Sequence, residues 1–132
     1  MSEWDEQDVE HKVVAVLRDV PLTNEHHAFG RPFMTAYQLA IALDARFPEV
    51  RQVLGFPLGG SGVEERNSLA QYLATQLSDR IRDSDGAYPV QGGFVSSVNV
   101  LDIRYRSHDG SEIVSSLTGT GYDLSMFRLA NP

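Results

Sequence analysis

The sequence predicts an α+β domain in which helices come first along the chain and strands come last. Three segments with helical apolar spacing occupy the first two-thirds, and period-two apolar patterns with turn signals follow from about residue 88. Because helices and strands do not alternate, a parallel nucleotide-binding sheet is not expected. We therefore expect three N-terminal helices packed on one face of a three-stranded antiparallel sheet.

Size and composition fit one globular domain over residues 1–132. The apolar content of 42% and the charged content of 22% are ordinary for a soluble protein. The chain has no Cys, which excludes disulfides and thiolate metal sites. Its first residues lack the basic-then-apolar pattern of a secretory signal, and no apolar run approaches the roughly 18 residues of a membrane span. We expect a cytoplasmic protein without a membrane partner.

The net charge of −7 is concentrated at one end of the chain. Five acids and no bases lie in the first ten residues: Glu3, Asp5, Glu6, Asp8 and Glu10. The remaining 13 acids and 11 bases leave the rest of the chain nearly neutral, at −2. Acids at the start of a helix favour its dipole. Residues 1–5 precede the periodic pattern, and we expect them to form an acidic, frayed terminus that can be removed without loss of the fold.

The first two helices have clear ends. Apolar residues at helical spacing predict a first helix over residues 6–19, ended by Pro21. Thr35 and Gln38 have the spacing of a capping box and predict the start of the second helix, which Pro48 ends. Its buried stripe comprises Leu39, Ala40, Leu43 and Phe47. Residues 49–54 could add one more turn before Gly55.

The third helix has an ambiguous start and a clear end. A glycine-rich loop covers residues 55–62, and the helix is expected to run to about Arg82. Ser61 with Glu64 and Ser68 with Gln71 are both capping-box pairs, so either serine could begin the helix. Its apolar face comprises Leu69, Tyr72, Leu73, Leu77 and Ile81.

Strand patterns fill the last third of the chain. From Phe94 to Tyr105 the apolar period is two, but its parity changes, which predicts either a β-bulge near Val100 or burial of both faces. Asp109-Gly110 predicts a tight hairpin, with 112–118 as the returning strand. Residues 122–129 read as a third strand or, alternatively, a helical turn. The predicted core is Val13, Leu17, Leu39, Leu43, Phe47, Leu69, Leu73, Leu77, Val98 and Ile103.

The glycine-rich loop is the best candidate for a ligand site. Glycines before a helix N-terminus can offer backbone N–H groups to a phosphate or carboxylate, and an arginine one turn later can add a bidentate contact. The pattern matches neither common phosphate-binding motif, and Glu64 and Glu65 would repel an anion. The predicted anion- or ligand-binding residues are Gly59, Gly60, Gly62, Arg66, His27, Arg31 and Tyr72.

No catalytic, metal or cofactor site is predicted. His26 and His27 are neighbours, so in an extended segment their side chains point to opposite sides and do not easily share one metal ion. The helical H-x-x-x-H spacing of zinc sites is absent, as is the G-x-S-x-G elbow of serine hydrolases. We predict no cofactor, and an enzyme is less expected than a binding protein.

Three helices followed by a hairpin is also the order of a winged-helix DNA-binding module. In that alternative, residues 68–81 form the recognition helix and the Asp109-Gly110 hairpin forms the wing. A recognition helix needs several bases near its start, whereas this one has Glu64, Glu65 and Arg66 there and its other arginines at the far end. A nucleic-acid partner is therefore not expected.

The favoured function is that of a small, non-enzymatic interaction module that acts through protein–protein contacts, with itself as partner in a homodimer. An antiparallel sheet covered by helices on one side leaves the other side open. The C-terminal segment carries more apolar side chains than one face of a strand can bury. The predicted interface is Tyr122, Leu124, Met126, Phe127 and Leu129. A ligand-binding, possibly catalytic, domain and a winged-helix regulator are the alternatives.

Overall fold

The fold is α+β, as predicted, with helices, a three-stranded antiparallel sheet and a second, two-stranded sheet. A computed structural model describes residues 2–21, 29–59, 68–116 and 123–130. In this part of the chain, no helix combines the length and the apolar character that crossing a bilayer requires.

The N-terminal segment forms two helices where one was predicted. Helix α1 spans Glu3–Glu6 and α2 spans Val9–Arg18, and Asp8 between them has left-handed backbone with φ 52°. Trp4 in α1 is only 3% exposed. Its ring lies under the guanidinium of Arg80 at 4.2 Å and near the ring of Tyr72 at 6.3 Å. The expectation of a frayed terminus is therefore wrong, because a large aromatic side chain anchors the segment in the core.

The predicted capping box begins α3, which spans Ala36–Arg46. The Thr35 backbone N–H donates to Gln38 Oε1 at 2.8 Å, and the Gln38 backbone N–H donates to Thr35 Oγ1 at 3.3 Å. Helix α4, Pro48–Leu54, is the extra turn predicted before Gly55, and Pro48 occupies its first turn. Gly55 ends it with a left-handed φ of 73°. Proline thus separates the two helices because it can begin a helix but not continue one.

Helix α5 spans Leu69–Asp83, and Ser68 is its cap: the Ser68 hydroxyl accepts from the Gln71 backbone N–H at 3.1 Å. This selects one of the two predicted starting points. Ser61, the other candidate, lies outside the described residues.

The three-stranded sheet has the order β1-β5-β2. Its strands are β1, Met34–Thr35, β2, Val90–Val95, and β5, Leu124–Leu129. The last segment of the chain is therefore a strand and not a helical turn. It lies in the centre of the sheet, pairing Phe127 with both Met34 and Gly92.

The predicted continuous strand from Phe94 to Tyr105 is wrong, because the chain turns between β2 and β3, Asp102–Arg106. Asn99 has a left-handed φ of 65°, and the Val100 N–H donates to the Ser97 carbonyl at 3.2 Å. The Asp123 carboxylate holds the turn by accepting from the Ser97 N–H. The change of apolar parity therefore marks the end of one strand and the start of another in a different sheet.

Among the described residues, strand β3 pairs with β4, Glu112–Ser116, and with no other strand, which makes a separate hairpin. The predicted turn is present: Gly110 has φ 89°, and the Asp109 carboxylate accepts from the backbone N–H and the hydroxyl of Ser111. These bonds also lower the pKa of Asp109. The hairpin is confirmed, but its strands are not those of the three-stranded sheet.

The core lies between the helices and the β5–β2 part of the sheet. Seven predicted core residues are buried: Val13, Leu17, Leu39, Leu43, Leu69, Leu73 and Leu77. Phe47 is half-buried against this core, and Ile103 is half-buried in the hairpin. The prediction that Val98 is buried is wrong. This residue is 70% exposed, because it lies in the turn after β2 and not in a strand.

Candidate functional site

The predicted glycine-loop site is described only in part. Gly60, Gly62, Arg66 and His27 lie outside the described residues. Gly59 has φ 136°, and a Cβ there would lie 3.1 Å from both Tyr37 Cε1 and Ala70 Cβ. Its lack of a side chain is thus explained by close packing between α3 and α5, in a conformation that L residues rarely adopt.

The other two described residues of that site have different neighbours. The Tyr72 ring packs between Trp4 and Phe56, with its centroid 5.9 Å from that of Phe56, and burial raises the pKa of its hydroxyl. The Arg31 carbonyl accepts from the Arg128 guanidinium at 3.1 Å, which ties the segment before α3 to β5. Anion binding at the glycine loop stays a prediction.

A buried carboxylate, Asp44, is the most unusual polar group in the described structure. Its side chain is 3% exposed, and each of its two oxygens has a polar partner. Oδ1 accepts from Arg51 Nε at 2.9 Å, and Oδ2 lies 2.9 Å from His108 Nε2. Arg51 comes from α4 and His108 from the turn of the β3–β4 hairpin, so one side chain of α3 joins three elements.

An aromatic contact lies beside this carboxylate along α3. Tyr37 is seven residues before Asp44, which places both on the same face two turns apart. Tyr37 stacks on Tyr105 of β3, with ring centroids 5.4 Å apart and planes 15° from parallel. The hairpin therefore docks on α3 through one stacked ring pair and one hydrogen bond to a buried carboxylate.

Two hydroxyls of the docked hairpin are buried: those of Tyr105 and Ser107. Burial raises the pKa of Tyr105, because the phenolate would lose its hydration there. The hairpin thus buries polar groups of its own and brings His108 to Asp44 of α3.

The cluster of Asp44, Arg51 and His108 can do two things chemically. A carboxylate that binds one imidazole nitrogen fixes the orientation of the ring and leaves the other nitrogen for a proton or a ligand. The side chains of Arg51 and His108 are also 38% and 42% exposed, so both are accessible from the surface, where Arg51 offers further N–H donors. The sequence held a signal for this site: Asp44 follows Leu43 and lies one turn after Ala40, on the apolar face of α3.

The predicted C-terminal interface is largely internal. Leu124 and Phe127 are buried, and Phe127 belongs to the same core cluster as the helix residues. Met126 and Leu129 are half-buried, and both pack against that core or against its sheet neighbours. Tyr122 lies outside the described residues. As a central strand, β5 uses its apolar side chains inside its own chain, so the predicted surface for dimerisation is wrong at Leu124 and Phe127.

A different apolar surface lies at the end of β2. Phe94 is 67% exposed and Val98 is 70% exposed, and the exposed Leu101 follows in the same turn. Residues 87–101 contain no acidic or basic side chain, although 22% of the chain is charged. We call Phe94, Val98 and Leu101 the apolar edge.

The described part of α5 offers little to a DNA backbone. Its two bases, Arg80 and Arg82, are both engaged: Arg80 covers Trp4 and bonds Gln76, while Arg82 pairs with Asp79 and Asp83. Among the described side chains, no three of His, Cys, Asp or Glu come together in a way that could hold a metal ion.

Comparison of the chain with protein-family models, with curated protein sequences and with solved structures gave no match.

Proposed function

We propose that this protein is a small, non-enzymatic module that acts through protein–protein contacts, with a second copy of itself as partner. The observation that supports this is the apolar edge. Phe94 on strand β2 and Val98 in the turn after it are both exposed, and β2 is at one end of the described sheet. Burying such a side chain contributes about 1.5–3 kcal/mol, and a two-fold contact buries each one twice. Burial of these two residues in each copy therefore works in favour of association, against the loss of translational and rotational freedom.

The decisive experiment is sedimentation velocity over a range of concentrations, with Phe94→Asp and Val98→Asp compared with the wild type. We expect the wild type to form dimers and each variant to shift towards monomer with an unchanged circular dichroism spectrum. Val53→Asp is the matched control, because Val53 is also exposed but lies on α4. A wild type that stays monomeric at high concentration, or an apolar-edge variant that associates like the wild type, would contradict the proposal.

A ligand-binding domain is the second candidate, and Asp44 supports it. This carboxylate contacts both Arg51 and His108, which are partly exposed, and the remaining N–H groups of Arg51 are suited to an anion. A panel of phosphates, carboxylates and nucleotides tests it by thermal unfolding. A ligand at about 100 times its dissociation constant stabilises by roughly 2.7 kcal/mol. If His108→Ala abolishes the thermal shift, the ligand binds at Asp44; if Arg66→Ala abolishes it, the ligand binds at the glycine loop. If no ligand shifts the unfolding temperature of the wild type, the tested ligands are excluded.

A further inference from the structure

In the part of the chain that the structure describes, strand β2 lies at one edge of the three-stranded sheet. It bonds β5 on one side, and in the described part of the chain no strand lies on its other side. Unpaired strand edges recruit other strands, and natural proteins usually block them with lysine, inward charges, proline or a bulge. Residues 90–95 contain none of the charged residues or prolines that block an edge.

One hydrogen bond shows which backbone groups of β2 point outwards. The Ala130 N–H donates to the Pro89 carbonyl at 2.7 Å, and these residues continue the register that pairs Val90 with Leu129. Because bonding alternates along an antiparallel ladder, every second residue from Pro89 onwards bonds towards β5. The N–H and C=O groups that point away from the sheet therefore belong to Val90, Gly92 and Phe94.

The chemistry of this edge favours a second copy of the chain as its occupant. Residues 87–101 carry no charge, while the chain as a whole carries −7. Two identical acidic molecules repel each other least where neither has charged side chains. A strongly basic or acidic partner would find no opposite charge here, whereas a copy presents the same uncharged, partly apolar strand.

Symmetry restricts how two β2 edges can meet. Opposed residues in an antiparallel pair have their side chains on the same face of the sheet. A two-fold axis normal to the sheet also keeps each residue on its own face. Because side chains alternate along a strand, the axis must pass between a residue and the same residue of the second copy. Centring the axis on Gly93 keeps residues 91–95 paired within β2. Centring it on Gly92 would instead set Phe94 opposite Val90, which has a side chain of its own.

The register centred on Gly93 also gives Phe94 a place to pack. It sets Gly92 opposite Phe94 of the second copy, and both have outward backbone groups, so the two residues exchange hydrogen bonds. Gly92 has no side chain, and Ile81 Cδ1 lies 3.3 Å from the position that a Gly92 Cβ would take. The exposed Phe94 ring of one copy can therefore cover Gly92 and contact Ile81 of the other.

We propose that two copies pair through antiparallel β2 edges about a two-fold axis at Gly93, which makes one continuous sheet of order β1-β5-β2-β2-β5-β1. This inference rests on the proposed function and specifies its partner and geometry.

Disulfide trapping tests the pairing directly, because the chain contains no Cys and a single introduced thiol is unique. At the axis, Gly93→Cys brings two thiols onto opposed positions, within the Cα separation of about 4.4–6.8 Å that a disulfide needs. A Cβ at Gly93 would meet the flexible Met126 Cε at 3.1 Å, and Gly93 lacks a positive φ, so the fold should accept the change. Gly92→Cys and Val53→Cys are the controls; in the Gly93 register the two thiols of Gly92→Cys lie on a diagonal, beyond bonding reach.

Under mild oxidation we expect linked dimer to be the main species for Gly93→Cys and monomer for both controls. A wild type that sediments as a dimer while Gly93→Cys links no better than Val53→Cys would overturn the pairing but leave the proposed function standing. Preferred linking of Gly92→Cys would overturn the Gly93 axis. A wild type that is monomeric throughout would overturn both. If reduced Gly93→Cys has lost its folded spectrum, the double variant Gln91→Cys, Val95→Cys, whose positions oppose each other in this register, replaces it with the same outcomes.

Discussion

Asp44 shows how a single buried charge can be accommodated in a small core. An ionised carboxylate away from water is costly unless it is paired and hydrogen-bonded, and Arg51 and His108 together bond both of its oxygens. Because those partners are partly exposed, they lose less hydration than Asp44 does. Losing one of these hydrogen bonds therefore costs more at Asp44 than at its partner. The buried Asp44 oxygen is left without a hydrogen bond, whereas the partly exposed partner can bond to water.

We therefore expect Arg51→Ala to lower the unfolding free energy by about 1–3 kcal/mol, the usual cost of an unsatisfied buried acceptor. Urea denaturation measures this change. The matched control is Arg104→Ala, which breaks an arginine–carboxylate pair whose Glu112 side chain is exposed. Such surface pairs contribute about 0.2–1 kcal/mol. Equal losses in the two variants would show that burial of Asp44 does not set the cost.

Half-buried tyrosines predict how the free energy of unfolding responds to alkaline pH. Burial raises the pKa of Tyr88 above its ordinary value of 10.0, and Glu10 near its hydroxyl adds to this. The folded chain therefore keeps this proton at a pH where the unfolded chain loses it. This contribution to stability is complete below about pH 10 and is lost as the pH rises further.

Tyr88→Phe should accordingly flatten the fall of the urea midpoint between about pH 9 and pH 11. The comparison at pH 7 is its internal control, since the proton difference vanishes there. The pKa values of Tyr72 and Tyr105 are also raised, so part of the fall should remain. An unchanged alkaline slope in Tyr88→Phe would contradict the assignment.

Among the elements, α1 is short but carries a large share of buried aromatic surface. Four residues would not form a stable helix in isolation. Here Ser2 caps the helix by accepting from the Asp5 N–H, and Trp4 packs beneath Arg80. Tertiary contact therefore holds this helix.

Deleting residues 1–6 should destabilise the fold, because it removes Trp4 from the core. Truncation of a buried Trp costs about 3–5 kcal/mol, which chemical denaturation would detect. The double variant Glu3→Gln, Glu6→Gln is the control, since it removes exposed acids and keeps Trp4. If the truncated chain unfolds at the wild-type denaturant concentration, the packing of Trp4 contributes little.

Strand β5 is part of the core because it lies between β1 and β2 in the sheet. Phe127 is 1% exposed, so Phe127→Asp should unfold the protein instead of separating a dimer. Phe127→Ala should cost about 3–5 kcal/mol in urea denaturation. Ser125→Ala, at a half-buried position on the same strand, is the control with a smaller expected loss. A folded, monomeric Phe127→Asp protein would instead support the interface predicted from the sequence.

At the scale of the whole molecule, the described residues form two separate sheets that pack differently on the helices. The β2–β5 sheet packs on the helices, whereas the β3–β4 hairpin is joined to α3 by the Tyr37–Tyr105 stack and the Asp44–His108 bond. A two-stranded hairpin is only marginally stable without packing. The hairpin should therefore open at lower free energy than the rest of the described structure.

Amide hydrogen exchange tests this difference. Amides of β3 and β4 should exchange faster than those of β2 and β5, through local opening. In His108→Ala, exchange in the hairpin should rise further while that of β5 stays the same. Equal protection of both sheets in the wild type would mean that they open together.

Local features of the chain were predictable because their causes lie within a few residues. The Thr35–Gln38 capping box, the break at Pro48 and the turn at Asp109-Gly110 are formed by neighbouring side chains and backbone. The spacing of leucines on α3 and α5 likewise determined which faces are buried. For the same reason the α+β class followed from the order of these segments.

Tertiary structure alone decided which strands pair and which polar groups meet. Whether β5 joins β2 or β4 depends on packing against helices far away in the sequence, and the strand pattern is the same in both cases. The contact between Asp44 and His108 spans 64 positions and exists only because the hairpin docks on α3. The exposure of Phe94 and the burial of Phe127 follow from the order of the strands. A central strand such as β5 has a neighbour on both edges, whereas an edge strand such as β2 has a neighbour on one.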